Sequence, residues 1–280
     1  MKRKNAFFAT LIAIVFYSCG SATYYQVYNT KSSDKLTIEG KSLLYEDENC
    51  RVSYNFWGDG GNIGFNFYNK TDQNIYIKLD ECFFVLNGIS RNYFKNRVFT
   101  SSASSGESTS HGTALAKSST GFNYMNFIQT NNLSLSSSNN IMNSSGYSIS
   151  YYEEKTICIP SMSSKIISEY VINQLLFRDC DLYLYPSRKL IKSISFEKSD
   201  SPLVFSNRII YSVGLSGNQI KFENEFFVTG ITNYPESEIT GTKNEDYCGE
   251  KSTTMTKYFT INSPDKFYIK YSLGQDSRKH

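Results

Sequence analysis

Apolar and polar side chains alternate clearly just after residue 50. In Arg51-Val52-Ser53-Tyr54-Asn55-Phe56, the residues Val52, Tyr54 and Phe56 occupy every second position, the period of a strand with one buried face. Trp57, the only tryptophan, ends the run. Gly58-Asp59-Gly60-Gly61-Asn62 then predicts a tight reversal, because glycine and asparagine accept positive φ. Phe65 and Phe67 resume the alternation, Asn69-Lys70-Thr71-Asp72 predicts a second turn, and Ile75, Ile77 and Leu79 predict another half-buried strand. Residues 82–86 are apolar throughout and lead into Asn87-Gly88, a hairpin signal. With two short candidates at 36–40 and 42–45, the spacing predicts an antiparallel meander.

Residues 101–150 have a different texture, with sixteen serines and seven asparagines. Apolar side chains are too sparse there to offset the entropy of ordering the chain. The segment reads as a flexible insertion in which Phe122, Tyr124 and Phe127 offer the main apolar side chains for docking. Beyond it, residues 154–160, 182–185, 190–196, 203–213 and 219–228 continue the β pattern. Residues 163–177 carry apolar positions four apart, yet their β-branched Ile166, Ile167, Val171 and Ile172 favour a strand followed by a turn. Residues 241–253 read as a polar loop holding Cys248, and 257–261 with 266–271 as a closing strand pair.

The predicted fold class is therefore all-β: an antiparallel β-sandwich, immunoglobulin-like in architecture, with a long Ser/Asn-rich insertion. Residues 35–100 and 151–280 would supply its two halves, the alternative being two small sandwiches joined by the insertion.

The chain opens differently. Lys2, Arg3 and Lys4 precede an apolar run of about twelve residues, well short of the roughly 20 needed to span a bilayer. Ser18, Cys19 and Gly20 close it. Residues 1–19 resemble a bacterial lipoprotein signal of the type common in the Bacteroidota, with Phe16-Tyr17 standing where that family has a smaller aliphatic pair. The resemblance implies that residues 1–18 are removed and that Cys19 becomes an acylated N-terminus. It also implies a membrane partner through that anchor, since two or more acyl chains hold a protein stably at a bilayer. Residues 19–34 would then be a lipid-anchored tether. No acidic residue follows Cys19 directly, which within the family points towards the periplasmic side of the outer membrane, with the cell surface as the alternative. Simple cleavage near Ser18, leaving Cys19 as a thiol, is the other reading.

Charge changes once the leader is set aside. The chain has 29 Lys+Arg and 26 Asp+Glu, but three of the basic residues lie in the leader, so 26 face 26 in the remainder. No basic stripe survives, which excludes a nucleic-acid partner of the usual electrostatic kind. Six cysteines stand at 19, 50, 82, 158, 180 and 248, without a CxxC pair. Outside the cytoplasm disulfides form, and Cys158 with Cys180 is the first candidate pair; the same spacing gives no zinc site and no cofactor.

Catalytic chemistry finds little support. His111 sits in the insertion and His280 is the last residue, so neither is placed for a nucleophile–histidine pair. Asp47/Glu48, Glu153/Glu154 and Glu223/Glu225 are the acidic positions to weigh as a hydrolase pair, with a solvated edge or loop the commoner role. Trp57 beside the glycine turn is the one candidate for stacking on a sugar ring. The sequence thus predicts a non-enzymatic binding or structural module of the cell envelope, whose partner would be a glycan or an envelope protein. A carbohydrate-active protein is the alternative.

Overall fold

The computed structural model describes residues 22–34, 36–105 and 145–274. The expected signal over residues 1–18, Cys19, His111, His280 and most of the Ser/Asn-rich segment, including Phe122, Tyr124 and Phe127, lie outside the described residues. In chain order the strands are β1 (Thr23–Ser32), β2 (Thr37–Glu39), β3 (Ser42–Glu46), β4 (Cys50–Tyr54), β5 (Phe65–Asn69), β6 (Ile75–Lys78), β7 (Phe83–Leu86), β8 (Ile89–Asn92) and β9 (Val98–Ser105). They continue as β10 (Ser145–Tyr152), β11 (Thr156–Ile159), β12 (Ser164–Ile167), β13 (Ser193–Ser195), β14 (Val204–Val213) and β15 (Gln219–Pro235). A single helical turn, α1 (Glu236–Ile239), precedes β16 (Thr240–Tyr247), β17 (Glu250–Phe259) and β18 (Lys266–Ser272).

Two antiparallel sheets face each other. One runs β12-β5-β4-β3-β2; the other has the path β11-β6-β14-β15-β1-β18, with β13 and the β7–β8 hairpin attached to it. Strands from both sides of the insertion enter both sheets: β12 pairs with β5, and β14 pairs with β6 and β7. The two halves therefore share one core. The alternation after residue 50 points Val52, Tyr54, Phe65 and Phe67 into it. There the rings meet across the sheets, Tyr54 lying 5.4 Å from Phe226, and Phe56 5.6 Å from Phe205.

Aromatic cores leave polar tips to satisfy. The β14–β15 register sets Asn207 opposite Asn224, both buried. Tyr93 donates to Asn207 Oδ1 at 2.6 Å and Tyr54 to Asn224 Oδ1 at 2.8 Å. A register shift where β15 meets Asn29 and Thr30 of β1 changes which residues face inward. Phe226 and Val228 point to the core before it, Ile231 and Asn233 after it, as a bulge requires.

Several expectations are revised. Residues 23–32, read as tether, form a strand hydrogen-bonded on both sides, to β15 and to β18. Residues 241–253 are not a loop, because β16 and β17 pair into a two-stranded ribbon turned by Cys248 and Gly249 at positive φ. The closing strand β18 pairs with β1 and not with residues 257–261. Residues 182–185 are not a strand, and only Ser193–Ser195 of the segment 190–196 is one. The Gly58–Asn62 reversal is no tight hairpin either. Gly60 N–H donates to Tyr268 O at 2.7 Å, and Asn173 N–H donates to Gly60 O at 2.9 Å. The glycines wedge between β18 and residues 171–173, and a Cβ on Gly61, whose φ is +72°, would sit 2.8 Å from Phe267 and Ile172. The Asn87-Gly88 turn does join β7 to β8, with both residues at positive φ. The ends of the Ser/Asn-rich segment pair with each other as β9 and β10.

Candidate functional site

The chain enters the described body at Ala22, and a connected set of long-range polar contacts lies just inside that point. On β1, Tyr24, Gln26 and Tyr28 share the face turned to the main core, while Tyr25 and Val27 face a second, smaller cluster. Gln26 is fully buried. Its Nε2 donates to Phe177 O and to Asn233 Oδ1, each at 2.9 Å, and its Oε1 accepts from Phe177 N–H at 2.7 Å and from Tyr28 Oη. Asn233 Nδ2 donates to Tyr183 O at 2.9 Å, and Tyr271 Oη to Leu184 O at 2.5 Å. These contacts hold residues 173–185, which run without a ladder of their own. Buried side-chain amides supply the partners that an irregular backbone loses when it leaves water. Burial pushes the Tyr28 phenol far above its ordinary range, outweighing the bonds from Phe177 and Asn173, so the phenol stays a neutral donor.

An aromatic layer completes this end. Tyr24 lies 5.3 Å from Tyr185 and 5.7 Å from Tyr271. On the opposite face of the sheet, Tyr25, Phe259, Tyr268 and Trp57 form a second group. Trp57 meets Phe259 and Tyr268 edge to face, each at 5.1 Å. Its ring thus takes part in covering the sheet and is half-buried.

The two candidate disulfide partners stay apart. Cys158 projects outward from β11, and Cys180 lies exposed in the segment that Gln26 and Asn233 hold; both are free thiols. β11 and β1 are separated by β6, β14 and β15, roughly 19 Å at about 4.8 Å per strand, against Cα separations below about 7 Å in a disulfide. Cys50 and Cys82 are buried free thiols, and burial raises the Cys82 pKa to about 12. Cys248 is exposed at the ribbon tip.

Four of the six carboxylates weighed for catalysis, Asp47, Glu153, Glu223 and Glu225, have structural partners. Asp47 caps a turn through the N–H groups of Asn49 and Cys50 and accepts from Tyr211 Oη at 2.8 Å. Glu223 pairs with Arg208 at 2.9 Å, and Glu225 with Lys198. Glu153 meets Arg97 at 2.6 Å, and Arg97 also reaches Glu169 at 2.8 Å, a cluster that clamps the base of the β9–β10 ribbon. Burial works against ionisation of Glu153, but hydrogen bonds from the Arg97 guanidinium and from the Arg97 and Lys95 N–H groups hold its pKa below the usual carboxylate range. A shallow cleft of about 430 Å³ lies over β14 and β15, where Arg208, Lys221 and Glu223 give it mixed charge beside Phe83 and Phe222. Among the described residues no three His, Cys, Asp or Glu side chains gather as metal ligands, and no helix is long and apolar enough to cross a membrane.

Sequence reading passed over Gln26, Asn233 and Arg97. The signal for Gln26 was present in the two interleaved apolar sets, Tyr24/Tyr28 and Tyr25/Val27. Two apolar faces on one strand imply cover on both sides, and a polar residue between them then needs a partner.

No protein-family model, curated protein or solved structure matches this chain.

Proposed function

We propose that the chain is a lipid-anchored, non-enzymatic module of the cell envelope, held through Cys19 at the outer membrane and facing the periplasm. One observation carries the reading. The first described strand begins at Thr23, four positions after Cys19, and lies between two neighbours in the larger sheet. An anchor at Cys19 is thereby joined almost directly to a core strand, and a pull on it is borne by two ladders of backbone hydrogen bonds. A structural or partner-binding module has use for that continuity. The pairing of Asp47, Glu153, Glu223 and Glu225 supports the non-enzymatic part, because these carboxylates are occupied in turns and ion pairs. Glycan binding through Trp57 gains no support from its edge-to-face packing, so an envelope protein is the favoured partner.

The test is the mass of the natural N-terminal peptide, together with detergent phase partition of the full chain. Acylated Cys19 is expected, with Cys19→Ala moving the protein to the aqueous phase. An unmodified peptide that contains Cys19 overturns the anchor. Turnover of a glycan or peptide substrate panel overturns the non-enzymatic assignment.

A further inference from the structure

The end of the body nearest Cys19 carries side chains suited to a lipid–water boundary. Three peptide steps separate Cys19 from Ala22, a reach of at most about 11 Å. Ala22 O accepts from Leu273 N–H at 3.0 Å, so the end of β18 is the first surface beside the anchor. The segment bound by Gln26 and Asn233 turns round at this same end. Tyr185 packs on Tyr24, Arg188 pairs with Glu238 of α1 at 3.3 Å, and Ser193 returns opposite Thr232. The turn leaves Tyr183 48% and Leu190 44% exposed, and just past β18 Leu273 is 53% exposed. Lys189 and Lys192 of the same turn are exposed, and Lys192 Nζ lies 5.5 Å over the Tyr183 ring.

We infer that this end of the sandwich lies against the phospholipid headgroup layer, with Tyr183, Leu190 and Leu273 at the boundary and Lys189 and Lys192 reaching phosphates. The inference rests on the proposed anchor at Cys19. A tether this short holds the face within a few residues' length of the bilayer, which makes lipid its occupant. Aromatic rings with an apolar body and lysines with long stems are the side chains that settle at such a boundary. The face fixes the orientation of the body. β1 then leads away from the membrane, and its far end at Ser32 lies about 30 Å further out, at about 3.3 Å per residue.

Acylation of lysine amines by a water-soluble reagent tests this on the full chain. The protein is reconstituted in vesicles of phosphatidylethanolamine and phosphatidylglycerol, floated, labelled, and compared with the same protein in detergent by peptide mass spectrometry. A contact worth roughly 1 kcal/mol per lysine at an anionic surface leaves the amine free about a sixth of the time, so Lys189 and Lys192 should label about sixfold more slowly in vesicles. Lys31 and Lys41, at the other end of β1 and on the β2–β3 turn, should label at equal rates in both. In the doubly substituted Leu190→Glu, Leu273→Glu chain, flotation should persist while Lys189 and Lys192 return to the detergent rate. Equal labelling in vesicles and detergent for a chain that floats overturns the face and leaves the anchor standing. Slow labelling that persists in the double variant also overturns the face. A chain that does not float overturns the anchor and this inference with it.

Discussion

β1 and the β16–β17 ribbon look alike as sequences and behave oppositely in the fold. Both carry Thr, Lys and Tyr, and neither shows the one-sided alternation of β4 or β5. Yet β1 has neighbours on both edges and cover on both faces. The ribbon pairs only with itself, and β17 is largely exposed. The difference lies in spacing. Tyr24 and Tyr28 serve one face of β1 while Tyr25 and Val27 serve the other, so burying the strand removes apolar surface from water twice. In β17 the large apolar side chains are confined to Met255, Tyr258 and Phe259, and only the Phe259 end packs on Tyr25. A strand becomes central when both its faces can be covered, whatever its mean polarity.

The sharpest test is Tyr28→Ala. The Tyr28 ring is fully buried and stacked on Phe267 at 4.5 Å, so its removal should cost about 3–5 kcal/mol by denaturant unfolding. A cost near zero would return residues 23–32 to the status of a tether. Gly61→Ala comes next. It places a Cβ 2.8 Å from Phe267 in a left-handed backbone conformation, and overpacking of this kind costs about 1–3 kcal/mol. Gln26→Leu should cost a similar amount, about 1–3 kcal/mol, because Phe177 N–H and Asn233 lose buried partners. Its distinguishing sign is faster amide exchange at Phe177 with little change in the ribbon.

Acid should separate the two regions. Glu236 accepts from Lys257 of β17 at 2.6 Å and from Tyr25 of β1 at 3.1 Å, and the Lys257 bond, against the opposing effect of burial, holds its pKa below the ordinary 4.5. A carboxylate with a depressed folded pKa contributes stability above its unfolded value, and that contribution is lost as pH falls through the folded one. Below about pH 4, amide exchange should therefore rise first where the ribbon meets α1, while β1 stays protected. Met255→Ala, on the exposed ribbon, should change stability by no more than about 0.5 kcal/mol. Thiol labelling gives the mildest probe: Cys158, Cys180 and Cys248 should react in the native protein, and Cys50 and Cys82 only on unfolding.

The all-β class, the alternating strands around Tyr54 and Phe65 and the β7–β8 turn at Asn87-Gly88 could all be read from local pattern, because each depends on a few neighbouring residues. The candidate site could not. Gln26 meets Phe177 and Asn233 across 151 and 207 positions of chain, and no local period reports such a meeting. The proposed pairing of Cys158 with Cys180 failed for the same reason: nearness along the chain does not fix where each segment docks on the sheet.

Residue order was sufficient for the character of each segment: which stretches can lie as half-buried strands and where the backbone must take positive φ. Partnership was settled at longer range, by which faces could be covered together. Folding placed β1 between β15 and β18, sent β6 and β7 to one sheet and β4 and β5 to the other, and packed Trp57 against Phe259 and Tyr268. A side chain's polarity is local, whereas the water it leaves behind depends on everything that packs over it.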